Sequence, residues 1–121
     1  MTITLDHHQR LNLTVLLGLQ ECRTLQETRR AWKLIDLLTL DDDEKRTIDF
    51  TVRHNGGSEN YSWNPEKTLP VREYDLSDSE VAQLEKAISG CPRFIPGQMR
   101  GWLEPLLAQL PEPVEANGNK P

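Results

Sequence analysis

The sequence predicts an α+β domain: N-terminal helices, a central antiparallel β-hairpin or meander, and C-terminal helices. Three observations carry this. A helix-start signal, a capping residue followed three positions later by Glu or Gln, recurs at Asp6…Gln9, Thr24…Glu27, Asp41…Glu44 and Ser77…Glu80. In each, the first side chain can accept from a free N–H of the first turn while the second reaches back. After the third signal the apolar period changes, with Ile48, Phe50 and Val52 alternating with Asp49, Thr51 and Arg53 as a half-buried strand requires. His54-Asn55-Gly56-Gly57 then supplies a turn whose glycines tolerate positive φ.

The elements follow in order. Over 7–20, Leu11, Val15 and Leu19 fall at helical spacing with Leu16 beside them, and the start signal selects helix over the strand-like alternation of 11–15. In the second helix Ala31, Leu34, Ile35 and Leu38 form an i, i+3, i+4, i+7 stripe that Leu25 and Trp32 widen, while Arg29, Arg30 and Lys33 face water. A short third helix spans about 42–48. Tyr61-Ser62-Trp63 returns from the turn as partner strand, Asn64-Pro65-Glu66 turns again, and 69–74 is a third, edge strand limited by Pro70. The fourth helix turns Val81, Leu84 and Ile88 inward and stops at Gly90, read as a left-handed terminator. The fifth carries Met99, Trp102, Leu103, Leu106, Leu107 and Leu110, with a kink or fresh start expected at Pro105. The expected organisation is one helix-rich domain over 1–110 and a disordered tail over 111–121, where Pro, Glu, Asn and Gly take over.

The 121-residue chain has a formal net charge of −5, which does not favour generic binding to DNA or anionic membrane. Residues 41–80 hold eleven acids against five bases, so the acidity belongs to the middle of the chain. No apolar run approaches the roughly 18 residues of a membrane span. The first six residues lack the basic and apolar parts of a signal peptide, and the expectation is a cytoplasmic protein with Cys22 and Cys91 as free thiols.

No reactive constellation emerges. The run Asp41-Asp42-Asp43-Glu44 leads straight into Lys45-Arg46 without the glycine of a calcium loop, so it reads as a cap complementing the helix dipole. His7 and His8 point about 100° apart on a helix and read as a solvated helix start; His54 belongs to an exposed turn. Neither cysteine has a histidine in a local motif, and there is no phosphate loop, zinc signature or dinucleotide fingerprint. The expectation is no catalytic residue, no cofactor and no metal. Trp32, Trp63 and Trp102 read as core packing, with one of them a candidate binding anchor.

Arg10-Leu11, the run Leu40-Asp41-Asp42-Asp43-Glu44-Lys45 with Ile48-Asp49-Phe50, Trp63-Asn64 and Asp75-Leu76-Ser77-Asp78-Ser79-Glu80 together resemble small uncharacterised phage and prophage proteins over about residues 8–90. The Pro-Lys-Glu-Gly-like break common in that group is here Gly18-Leu19-Gln20-Glu21. The resemblance implies an accessory role in the cytoplasm of an infected bacterium and gives no residue a chemical role. The leading expectation is a non-catalytic interaction protein that binds and blocks or sequesters a host component. Its candidate contacts are Trp102, Leu103, Leu106 and Leu107 on the last stripe, which also suits a homodimer, and the acids Asp42 and Asp43. A winged-helix-like regulator competes, because three helices followed by a hairpin is that fold's order, but phosphates would repel the acidic start of its reading helix. A small ligand-binding protein or hydrolase is the third reading, resting on the loops 54–60 and 90–97.

Overall fold

A computed structural model describes residues 1–91 and 96–111. Among them the order is β1 (Thr2–Leu5), α1 (His7–Leu19), α2 (Leu25–Leu38), α3 (Asp42–Thr47), β2 (Thr51–Asn55), β3 (Ser58–Ser62), β4 (Arg72–Asp75), α4 (Asp78–Ser89) and α5 (Pro96–Leu107). The α+β class and the helix–strand–helix order are as expected. The tail expected over 111–121 lies, from 112 onward, outside the described residues.

All four start signals cap a helix. Asp6, Thr24, Asp41 and Ser77 each accept from the backbone N–H three residues on, and three of the four close the reciprocal box. The terminators run differently. Gly90 ends α4 at φ −85°, outside the left-handed region. The left-handed terminator is instead Asp49, at φ 55°. Phe50 N–H reaches back to Lys45 O (2.8 Å) and Asp49 N–H to Arg46 O (3.3 Å), the two bonds of a Schellman motif. Consequently Ile48, expected to open the strand, caps α3 and is fully buried, and β2 starts only at Thr51.

The expected meander is replaced by two separate two-stranded antiparallel sheets, β2–β3 and β1–β4. The hairpin turns on Gly56 and Gly57, both at positive φ, with Asn55 paired to Ser58. β4 leaves it to pair with β1, Ile3 opposite Tyr74. The cause is burial: Ile3, Leu5, Tyr74 and Leu76 all sit in the main core, and only pairing between 2–5 and 72–75 places them there together. Gln109 covers the edge of β1, accepting from Thr4 N–H (2.7 Å) and donating to Thr4 O (2.8 Å) as a neighbouring strand would.

The core gathers one face each of α1, α2, α4 and α5 on the β1–β4 sheet. The α4 stripe Val81, Leu84, Ile88 points inward as expected. On α1 Leu16 is buried as expected, but the rest of the inward face is Leu13 and Leu17, while Val15 and Leu19 of the expected stripe are exposed. α1 is apolar on both sides, so periodicity alone could not choose; docking of α2 and α4 did. On α2, Ala31, Leu34 and Leu38 are buried, but Leu25 and Trp32 stand in water. α5 runs through Pro105 to Leu107 without a fresh start, at the cost of the one ladder bond that residue 105 would have donated to Gly101 O. A second, smaller cluster of Leu40, Ile48 and Leu69 sits beneath the hairpin, with Leu11, Phe50 and Trp63 packed on it.

Candidate functional site

Among the described residues three polar side chains are buried, Gln9, Arg10 and Gln83, and each acts as a joint between elements. Gln9 donates to Trp102 O (3.1 Å), tying the start of α1 to α5. Gln83 donates to Gln20 Oε1 (2.9 Å) and Glu27 O (3.2 Å) and accepts from Arg30, joining α4 to α1 and α2.

Arg10, 1% exposed, is the centre of the strongest electrostatic cluster. Its Nε donates to Leu38 O (3.1 Å) and its Nη2 to Thr39 O (3.3 Å), satisfying carbonyls at the end of α2. Nη1 and Nη2 grip Glu44 in a bidentate pair at 2.6 and 3.0 Å. Glu44 also accepts from Asp41 N–H in the α3 capping box (3.0 Å) and has Arg72 Nη1 at 3.6 Å. The Arg10 hydrogen bonds, aided by the Asp41 N–H and the two positive charges and opposed by burial, hold the Glu44 carboxyl at about 2. Nearby, burial raises the Tyr74 hydroxyl above its ordinary value. Arg10 spends its guanidinium on a carboxylate and two carbonyls, so the Arg10–Glu44 pair is a structural joint, while the buried Tyr74 hydroxyl beside it has no hydrogen-bond partner among the described residues.

The acidic run behaves as a cap. Asp41 accepts from Glu44 N–H (2.8 Å), Asp43 pairs with Arg46, and Asp42 is exposed on α3. Among the described residues no group of three or more His, Cys, Asp or Glu is placed to hold a metal ion. Cys22 and Cys91 are free thiols. His7 and His8 depart from a simple solvated start, because both rings meet Trp63, at 5.4 Å edge-on and 5.5 Å tilted. Partial burial there, which outweighs the pull of Asp6, lowers the His7 pKa.

One surface feature that these contacts leave open is a groove of about 300 Å³ between α1, the C-terminal half of α2 and the hairpin. Its walls are Leu11, Val15, Ile35, Phe50, Val52 and Tyr61, and among the described residues Lys45 is the one cationic side chain lining it. The Val52–Tyr61 register pair presents both side chains to the groove, Phe50 and Tyr61 rings lie 5.5 Å apart, and the Lys45 ammonium sits 5.9 Å over the Phe50 ring. Val15, Val52 and Tyr61 are each about two-fifths exposed. Asp42, one helical turn before Lys45, falls on the same side of α3.

The contacts expected on α5 divide. Trp102 and Leu106 are buried in the chain's own core, with Leu110, because α5 lies across α1 and must cover it. Leu103 is half-buried and Leu107 exposed, and together with Met99 they line a shallow apolar depression on the outer face. The winged-helix order is present as α1, α2, α3 and the β2–β3 hairpin, but α3 is only six residues long and opens with acids.

The groove is hidden in the sequence because the helical period assigns its α1 wall, Leu11 and Val15, to the core. No protein-family model matches the chain, and neither a curated protein nor a solved structure matches it. Among the described residues no helix is long and apolar enough to cross a membrane.

Proposed function

We propose that the chain is a non-catalytic interaction protein that engages a host bacterial protein through the α1–α2–hairpin groove, in the accessory, blocking or sequestering role that the phage-protein resemblance implies. The observation that carries this reading is the groove itself. It is an open, apolar wall of Val15, Ile35, Phe50, Val52 and Tyr61 with a single cation at its rim. Such a surface offers contact area and one orienting charge, and among the described lining residues there is no His, Cys, Asp or Glu to activate a nucleophile or bind a metal. Apolar patches rimmed by polar groups mark partner surfaces more often than chance exposure does.

The test is site-directed photo-crosslinking in a bacterial extract. A photoreactive side chain at Tyr61 or Val15 is expected to give one discrete adduct, competed by unmodified protein but not by the Tyr61→Asp variant. The same group at Ala82, on the exposed side of α4, is expected to give none. Equal, weak adducts at all three positions would remove the reading.

A further inference from the structure

A different surface, the outward line of α2, carries its own charge pattern. Leu25, Arg29, Trp32 and Asp36 succeed one another at four, three and four residues, so they lie along one side of the helix. Leu25 is 61% and Trp32 58% exposed, and Leu19 at the end of α1 is 60% exposed. Beside Trp32 the surface dips between the two helices, where Gly18 and Thr28 leave about 200 Å³ of room. Arg29 and Asp36 are exposed, and among the described residues neither forms an ion pair within its own chain.

We infer that this face docks a second copy of the chain, α2 against α2 in antiparallel two-fold contact centred beside Trp32. The geometry follows from the spacing. An axis crossing α2 between residues 32 and 33 places Arg29 of one copy opposite Asp36 of the other, and repeats the pair by symmetry. Each face carries one charge of each sign, so the net charge of −5 does not oppose the contact locally. A partner of uniform sign would leave one of the two charges opposed. The apolar surface of Leu19, Leu25 and Trp32 is on the order of a few hundred Å² per copy, the upper end of what monomers leave in water. That is below the roughly 800 Å² per partner of a standard stable interface, which makes the dimer concentration-dependent. The inference goes beyond the proposed function and does not use the hairpin groove.

Sedimentation equilibrium on the full chain, from low micromolar to near-millimolar protein, tests it. The parent is expected to pass from one chain mass to two. Arg29→Asp and Asp36→Arg are each expected to stay monomeric, an equimolar mixture of the two to recover the dimer, and the doubly exchanged variant to recover it alone. Trp32→Ala is expected to stay monomeric with an unchanged far-ultraviolet circular dichroism spectrum. A parent that remains monomeric throughout would overturn the inference. So would a dimer indifferent to both charge exchanges but lost on Leu107→Asp or Tyr61→Asp, which would assign it to α5 or to the groove.

Discussion

At the scale of single residues the fold depends most on Arg10 and Glu44. A guanidinium inside the protein is tolerable only because a bidentate carboxylate and two carbonyls meet it. Removing one partner leaves the other buried and uncompensated, so Arg10→Ala is expected to cost about 3–5 kcal/mol in urea unfolding at neutral pH. The carboxyl also sets an acid limit. Its folded pKa of about 2 lies below the ordinary 4.5, so the stabilisation is full above pH 4.5 and is lost as pH falls from 4.5 toward 2. The shift corresponds to about 3 kcal/mol for this mostly buried group. Unfolding free energies between pH 6 and pH 2.5 should therefore fall more steeply for the parent than for Glu44→Gln. Equal slopes would show that Glu44 does not carry the acid sensitivity. None of this was legible in the sequence, where Arg10 is one base among fourteen and Glu44 completes a capping box. Its second role needs a partner thirty-four residues away.

At the scale of elements, the helix starts were legible, and so were the positions where α3 and α4 stop, but the left-handed terminator was not. Start signals are local: a side chain and an N–H three residues apart satisfy each other whatever the rest of the chain does. A left-handed end is local too, but glycine is only its commonest occupant, and here Asp49 holds the position between Ile48 and Phe50. Its carboxylate meets Lys67 at 3.1 Å, which lowers its pKa and ties the end of α3 to the turn after β3. A β-branched residue has no good left-handed conformation, so Asp49→Val is expected to destabilise the chain by about 1–2 kcal/mol, while Asp49→Gly keeps the bend. Thermal unfolding of the pair decides it, and equal loss in both would assign the effect to the Lys67 contact instead. The β1–β4 sheet was invisible for another reason. Four residues with two apolar positions are too short for a period to stand out, and the pairing spans about seventy residues of chain.

At the scale of the whole molecule, the sequence offers more apolar faces than one small core can bury, and the packing decides which stay outside. α1 and α2 each have an inward stripe and an outward one; α4 and α5 cover the inward pair, leaving Val15, Leu19, Leu25 and Trp32 exposed. The two surfaces proposed above for contacts are what remains. α5 shows the same division within one helix: Trp102 and Leu106 face inward while Leu107 is 49% exposed. A buried tryptophan truncated to alanine loses its transfer free energy and leaves a cavity, so Trp102→Ala is expected to cost about 3–5 kcal/mol. Leu107→Ala removes no core contact and should stay within about 0.5 kcal/mol. Denaturant midpoints measured at one low protein concentration compare the two free of any association. Comparable losses at both positions would mean that α5 buries a different face from the one described. Near-neutral Trp102→Ala would return this stripe to the role of a contact surface, and the covering of α1 would then need another element.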